Sequence, residues 1–257
     1  MKIYIFADME GISGVAGSEY ISGQPHFVEL ARRYMADDIN SCAEGCFEAG
    51  ATEVIVRDGH SIGFNVDPDR IDPRVTLIQG AAPRGVRFPD IEGSHGLILL
   101  GYHAMAGTEG ALLEHSYSSR QIQNLWLNDR RVGEIGLDAA IASEHKVPVL
   151  MVSGDDKACQ EAVLWIPNVR ACQVKKSYDT QGTRLMIPSA AHAMIKEYTI
   201  EAIRHRRRCK LLPLEYPATL RTEYIERVPL PGRSDWTRID GRTVERTGDS
   251  IERLLVG

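Results

Sequence analysis

No stretch of this 257-residue chain stays apolar for the ~18 residues that a membrane-spanning helix needs, so a transmembrane helix is excluded. Positive charge is not in excess either. The 30 Lys and Arg residues stand against 35 Asp and Glu, and the net charge of -5 argues against a nucleic-acid-binding protein. The five cysteines are odd in number and scattered, which argues against a disulfide framework and favours a reducing compartment. The apolar run at the N-terminus turns acidic at Asp8, too early for a signal peptide. We therefore expect a cytoplasmic protein without membrane or nucleic-acid partners.

Two common functional motifs are also missing from the sequence. The glycines of segment 10–14 lack the spacing of a phosphate-binding P-loop, and no Lys-Ser or Lys-Thr pair follows them. The H-E-x-x-H of many zinc proteases does not occur in the chain. We interpret the glycines of 10–14 as residues that let the backbone turn sharply beside a functional site.

Short apolar runs alternate with helical patterns along most of the chain, and the hydrophobic content of 43% is ordinary for a protein with a core. We predict strands at 2–7, 53–56, 75–78, 96–100, 125–127 and 148–152. We predict helices at 27–49, 137–145, 155–165 and 189–209. Strands that alternate with helices predict an α/β fold, with a mainly parallel sheet flanked by helices.

The pattern changes after Pro213, where helical periodicity gives way to strand-like segments. Two such segments and the strand-breaking residues between them are 218–228, 238–247, Pro229, Pro231 and Gly232. We therefore predict an α/β domain at 1–212 and a small β-containing C-terminal extension at 213–257. We expect the extension to pack on the same domain or to lie at a subunit contact.

Ionisable side chains follow several of the predicted strands at the point where each strand ends. Asp8 and Glu10 come directly after the first strand, and His60 follows the second. His103 follows the fourth strand, and Glu134 follows a predicted hairpin turn. Because ligand sites in open α/β sheets form at the carboxyl ends of the strands, we expect these side chains to meet in one cleft. Taken singly, each has a structural alternative, as a loop cap or a satisfied polar group at the edge of the core.

Two imidazoles and three carboxylates form a donor set that suits two zinc ions, with manganese or cobalt as alternatives. A carboxylate can bridge two ions, and Asp8 is the natural bridge because it lies closest to the end of its strand. Two ions about 3.5–4 Å apart hold a hydroxide and polarise a carbonyl or phosphoryl oxygen. The residues alone leave three functions open: an aminopeptidase, a phosphoesterase or amidase with another small substrate, and a non-catalytic metal-stabilised assembly.

His115 lies twelve residues past His103, so a loop can return it to the same cleft. A histidine beside a dimetal centre that is not itself a ligand can act as a general acid or base, or can stabilise an oxyanion. The alternative is a surface-loop histidine that is hydrogen-bonded to its neighbours.

Seven blocks of the sequence together carry a resemblance to a known family. The blocks are Asp8-Met9-Glu10-Gly11-Ile12-Ser13-Gly14, Asp58-Gly59-His60, Gly101-Tyr102-His103-Ala104, His115-Ser116, Asn128-Asp129-Arg130, Val132-Gly133-Glu134-Ile135-Gly136-Leu137 and Val149-Leu150-Met151-Val152-Ser153-Gly154-Asp155-Asp156. In this order, over about the first 175 residues, they resemble the zinc-dependent D-aminopeptidases associated with bacterial dipeptide-transport operons. Gly59 stands where that family more often has serine.

The resemblance implies a fuller set of expectations than the residues do. It implies two zinc ions per subunit, bound by Asp8, Glu10, His60, His103 and Glu134. It implies that His115 is the catalytic residue beside them. It also implies a homodecamer of two stacked pentamers around a channel, and substrates that are short peptides with a free N-terminal D-residue, D-Ala especially.

Overall fold

A computed structural model of the chain describes residues 1–227 and 235–257. The strands in these parts are β1 Lys2–Ala7, β2 Glu53–Asp58, β3 Val75–Ile78, β4 Leu97–Tyr102, β5 Ile122–Leu127, β6 Arg130–Val132, β7 Val149–Gly154, β8 Arg170–Gln173, β9 Lys175–Asp179, β10 Gly182–Leu185, β11 Ala218–Tyr224, β12 Trp236–Arg238 and β13 Thr243–Gly248. The α-helices are α1 Glu19–Ser22, α2 Pro25–Glu48, α3 Glu134–Glu144, α4 Asp156–Trp165, α5 Pro188–Arg204 and α6 Ile251–Val256. In these two ranges no helix combines the length and the apolar character that crossing a membrane requires.

Six parallel strands form the main sheet, in the order β3-β2-β1-β4-β7-β8. The strands β4 and β7 are buried along their whole length, as expected for parallel strands that are covered on both faces. In the register at the centre of the sheet, Ile5 lies opposite Val56 on one side and Ile98 on the other. The predicted α/β fold with a mainly parallel sheet flanked by helices is confirmed.

Alternate side chains of β1 build a separate core on each face of the main sheet, because successive residues of a strand point to opposite sides. Ile3 and Ile5 belong to one core, together with buried residues of α2 and α5. Tyr4 and Phe6 belong to the other core, together with buried residues of α3 and α4. The site described below lies at the edge of the sheet where β1 ends.

A second, antiparallel sheet has the order β12-β13-β11-β5-β6 and shares its core with α3. The strands predicted at 218–228 and 238–247 correspond to β11 and β13. Residue 228 and the predicted breaks at Pro229, Pro231 and Gly232 lie outside the described residues. Strands of the tail thus pair with strands from the middle of the chain, and the division into 1–212 and 213–257 stays a prediction.

The structure corrects several predicted boundaries and adds elements that were not predicted. The helix predicted at 137–145 begins earlier, at Glu134, and the helix predicted at 189–209 ends at Arg204, before a short 3-10 helix at Arg206–Arg208. The strand predicted at 238–247 is displaced, because residues up to Arg238 belong to β12. The strands and α-helices that were not predicted as separate elements are α1, β6, β8, β9, β10, β12 and α6.

Candidate metal centre

Backbone hydrogen bonds join the segments that leave β1, β2 and β4. The amide of Asp8 donates to the carbonyl of Leu100, and the amide of Gly59 donates to the carbonyl of Ala7, both at 2.8 Å. The amide of Gly11 donates to the carbonyl of Gly101, also at 2.8 Å. A side chain at position 11 would overlap the backbone of residues 101 and 102, so only glycine allows this approach. The three strand ends are therefore held together where the predicted ligands begin.

The structure brings the five predicted ligands together. Nδ1 of His60 lies 3.0 Å from Oδ1 of Asp8 and 3.1 Å from Oε2 of Glu10. Nε2 of His103 lies 3.5 Å from Oδ2 of Asp8 and 3.3 Å from Oε1 of Glu134. The two oxygens of Asp8 thus face different imidazoles, which is the arrangement that a bridging carboxylate needs.

Glu134 reaches this cluster by a different route from the other four residues. It is the first residue of α3 and follows β6, a strand of the second sheet rather than of the main sheet. Its Oε1 accepts a hydrogen bond from the backbone amide of Tyr117 at 2.7 Å. The strand-end rule that located Asp8 and His103 therefore does not explain how Glu134 comes to be here.

His115 also lies at the cluster, stacked on His103 with ring centroids 4.0 Å apart and planes 10° from parallel. Its Nδ1 contacts the carbonyl oxygen of Leu113 at 2.8 Å, and its Nε2 lies 3.7 Å from Oε1 of Glu134. Two left-handed residues bracket it, Leu113 at φ 50° and Tyr117 at φ 57°. Such conformations are uncommon outside glycine and occur where a fold holds a functional segment under strain. The loop is thus held in a shape that presents one imidazole nitrogen to the cluster.

The donor set fits zinc. Two groups have their donor atoms within 4.8 Å of one another: Asp8, Glu10 and His103 form one, and His103, His115 and Glu134 form the other. Nε2 of His103 and Oε2 of Glu10 are buried, and neither atom forms a hydrogen bond with any of residues 1–227 and 235–257. Buried polar atoms rarely lack partners, and imidazole nitrogen and carboxylate oxygen are the donors that zinc takes.

The cluster carries a strongly negative potential of its own. Burial lowers the pKa of His60, but the carboxylates of Glu10 and Asp8 outweigh burial and raise the pKa to about 11. The same competition, with Glu134 as the main carboxylate, raises the pKa of His103 well above its usual value. Burial raises the pKa of Asp8, yet hydrogen bonding and charge from His60 and His103 leave it below the ordinary range. A divalent cation bound here would compensate this negative charge and would replace the extra proton on each imidazole.

A partly buried arginine supports the centre from the side of α3. Arg87 donates from Nε and Nη2 to the two oxygens of Asp138, both at 2.9 Å, and its Nη2 lies 4.0 Å from Oε2 of Glu134. The hydroxyls of Tyr102 and Tyr117 donate to the same Asp138 at 2.6 and 3.2 Å. Asp138 lies one helical turn after Glu134, so both carboxylates face the same side of α3. This arrangement could not be predicted from the sequence, because nothing along the chain links residue 87 to α3.

The Phe6 ring lies beneath Arg87 and fills the space that a side chain at position 59 would occupy. The guanidinium of Arg87 lies over the Phe6 ring, 4.4 Å from its centroid. A Cβ atom at position 59 would overlap that ring. The glycine at position 59, where the resemblance leads one to expect serine, therefore matches the phenylalanine at position 6.

Lys175 fixes the loop that carries Glu10. Its ammonium group is buried and donates to the carbonyl oxygens of Glu10, Ile12 and Val15, at 2.8, 2.7 and 2.7 Å. Burial lowers the pKa of Lys175 to about 7, but three carbonyl acceptors require all three N–H donors of the charged form. The backbone of residues 10–15 is therefore folded around the ammonium group of Lys175.

Replacing Lys175 by methionine should loosen this loop, because three buried carbonyls lose their donor. At about 1–3 kcal/mol for each unsatisfied buried group, partly offset by the removal of a buried charge, we expect a loss of roughly 2–4 kcal/mol in unfolding free energy. Urea unfolding of the metal-free protein measures this loss. The neighbouring Lys176 is exposed, and Lys176→Met is the matched control. Equal stability of the two variants would contradict the role given to Lys175.

Comparisons with known proteins agree with one another. A family model described as D-aminopeptidase matches residues 1–256. The D-aminopeptidase of Bacillus subtilis (strain 168) is 34% identical over 253 residues, which span 96% of this chain and 89% of that protein. The solved structure of the zinc-dependent D-aminopeptidase DppA from Bacillus subtilis, described as a self-compartmentalizing protease, superimposes with a TM-score of 0.90. That match has 31% identity and covers 98% of this chain and 93% of the other.

Proposed function

This chain belongs to the D-aminopeptidase family and is a zinc aminopeptidase, and from that premise we propose that each subunit binds two zinc ions. The proposed ligands are Asp8, Glu10, His60, His103 and Glu134. His115 is the proposed catalytic residue beside them. The proposed substrates are short peptides with a free N-terminal residue, D-alanine especially.

The observation that carries the proposal is the meeting of two three-donor groups that share His103. One group contains Asp8 and Glu10, and the other contains Glu134. His60 lies outside both groups, but its Nδ1 is 3.0 Å from Asp8 and so lies within reach of an ion on that side. Manganese and cobalt accept the same donors, and the zinc-dependent relative favours zinc.

Zinc bound here would supply a Lewis acid for the scissile carbonyl and lower the pKa of a bound water. The side chains of the protein supply the arrangement. Because Nδ1 of His115 is held by the carbonyl of Leu113, Nε2 is the nitrogen that faces the cleft. That nitrogen accepts a proton and returns it to the leaving amine, or it donates a hydrogen bond to the developing oxyanion. The Tyr117 amide keeps Glu134 in place beside it.

We also propose that the chain assembles, as the description of DppA as a self-compartmentalizing protease suggests for that relative. A decamer of two stacked pentamers is the specific assembly that the family resemblance implies. The mass of the purified protein in solution tests this part of the proposal.

The test of function is hydrolysis of D-Ala-p-nitroanilide and L-Ala-p-nitroanilide by purified protein of known metal content, with and without a chelator. We expect faster cleavage of the D-compound, loss of that cleavage in the chelator, and about two metal ions per chain. Both anilides carry an activated leaving group, so their rates of hydrolysis measure the activity of the metal centre directly.

The relatives favour neither of the other functions that the residues alone leave open. Turnover of p-nitrophenyl phosphate with no turnover of either anilide would move the assignment to a phosphoesterase. Two tightly held ions with no hydrolysis of any substrate would move it to a metal-stabilised assembly.

A further inference from the structure

The cleft over the metal centre has two lobes that meet at His115 and differ in the charged side chains that line them besides the candidate metal ligands. The first, the arginine lobe, is a cavity of about 410 Å³ whose lining includes His60, Arg87, Ser118 and Arg120. The second, the glutamate lobe, is a cavity of about 310 Å³ whose lining includes Glu114. Both lobes reach Glu10, and among the described residues only the arginine lobe is lined by arginine or lysine.

We propose that the arginine lobe binds the free α-carboxylate of the peptide, with Arg120 as the specificity-determining residue. This inference rests on the proposed function and deepens it, because it names the substrates as very short peptides with a free carboxyl end. A planar guanidinium matches a carboxylate with two parallel hydrogen bonds, and so it distinguishes an acid from an amide.

The two arginines differ in whether their guanidinium N–H donors are free to bind a ligand. Arg87 is partly buried, and Asp138 occupies its Nε and Nη2. It therefore forms a fixed and largely neutralised wall of the lobe. Arg120 is exposed and makes no hydrogen bond or ion pair with any residue of 1–227 or 235–257. The free cation at the mouth of the lobe is thus Arg120, and its whole fork is available to a ligand.

The backbone that carries Arg120 is anchored to the centre. The amide of Tyr117 donates to Glu134, and the amide of Ser118 donates to the carbonyl of Ser116 at 2.7 Å. The amides of Gln121 and Ile122 both donate to the carbonyl of Ser118, at 3.2 and 3.0 Å. His115 and Arg120 therefore stand on one hydrogen-bonded loop, which sets the position of the Arg120 backbone relative to the catalytic imidazole.

The arginine lobe begins directly beside the candidate metal ligands. One extended residue spans about 3.3–3.6 Å, so in a dipeptide the carboxylate lies one residue beyond the scissile carbonyl. Nη2 of Arg87 is only 4.0 Å from Oε2 of Glu134, so the arginine lobe begins within about one residue of the metal ligands. A carboxylate one residue beyond the scissile carbonyl, as in a dipeptide, can therefore lie in the arginine lobe, which Arg120 also lines.

The glutamate lobe provides the complementary half. Glu114 accepts a hydrogen bond from the amide of Gly107 at 2.5 Å, which holds its carboxylate at the lobe. The substrate ammonium would lie on this side of His115, between Glu10 and Glu114. The two lobes thus orient the peptide, with the amino end toward the glutamates and the carboxyl end toward the arginines.

The experiment compares D-Ala-D-Ala with its C-terminal amide, D-Ala-D-Ala-NH₂, using the metal-loaded enzyme, Arg120→Gln, Arg120→Lys and the control Arg84→Gln. Arg84 is exposed on the segment that precedes Arg87 and does not line the cleft. The wild type should prefer the acid. Arg120→Gln should lower the ratio of kcat/KM for acid over amide roughly 10- to 100-fold, through KM, which is the size of one charge-assisted hydrogen bond. The acid-over-amide ratio of Arg120→Lys should lie between those of the wild type and Arg120→Gln. Arg84→Gln should have the ratio of the wild type.

The outcomes separate the two levels of the proposal. Equal cleavage of acid and amide by the wild type, or an unchanged ratio in Arg120→Gln with zinc content intact, overturns the carboxylate site and leaves the aminopeptidase standing. Failure to cleave acid, amide and D-Ala-p-nitroanilide by the zinc-loaded protein overturns the function and this inference together.

Discussion

Replacing His115 by alanine should abolish turnover while leaving the zinc content near that of the wild type. The imidazole is fixed through Nδ1 on Leu113 and presents Nε2 to the cleft, so its loss removes a positioned proton carrier. General acid–base groups contribute typically 10²- to 10⁴-fold, and we expect kcat for D-Ala-p-nitroanilide to fall within or beyond that range. The measurements are kcat and the number of metal ions per chain in the same preparation.

A loss of metal in His115→Ala would contradict the assigned role. His115 forms a three-donor group with His103 and Glu134, so the structure contains a specific alternative in which this imidazole is a ligand. His26 is exposed at the start of α2, and His26→Ala is the matched control, expected to keep both activity and zinc.

Replacing Asp8 by asparagine should remove both ions at once. Oδ1 of Asp8 faces His60 and Oδ2 faces His103, so this one carboxylate serves both halves of the centre. The amide carries no charge and offers one acceptor oxygen in place of two. Because metal ions contribute several kcal/mol to catalysis of this kind, activity should fall on the order of 10³- to 10⁵-fold. Metal analysis after dialysis, together with kcat, measures both effects.

His60→Ala provides the comparison that makes this test specific. Among the described residues, the carboxylates paired with the His60 ring are Asp8 and Glu10, so its loss should weaken one ion and spare the ion beside His103 and Glu134. If Asp8→Asn kept one ion per chain, as we expect for His60→Ala, Asp8 would not be the bridge. Asp69 is exposed, and Asp69→Asn controls for the loss of one carboxylate elsewhere.

The main sheet was predictable because its strands are unbroken apolar runs, which parallel strands covered on both faces require. The hairpin of β9 and β10 was not, because Lys175-Lys176-Ser177-Tyr178-Asp179 reads as a solvated segment. Lys175 is buried there only because three carbonyls of the loop after β1 converge on it. No property of the local sequence predicts a contact between residues 160 or more positions apart.

The same division holds for the candidate centre. Asp8, His60 and His103 were placed by a rule that needs only the strand ends and the order of the chain. Glu134 lies on the second sheet's side, and its position there depends on the packing of α3. Arg87 and Asp138 were missed because their partnership exists only after folding, when two polar residues from unrelated segments meet beneath the cleft.

The fit between Phe6 and Gly59 makes these two positions epistatic. A serine at position 59 is compatible with this fold only if the residue at position 6 is smaller or its ring turns away. Since Arg87 lies on that ring, a change at either position would also shift the guanidinium that stands behind Glu134. In a related chain with serine at position 59, we therefore expect a smaller residue at position 6 or a ring in a different orientation. Among related sequences, the identities of positions 6 and 59 should covary.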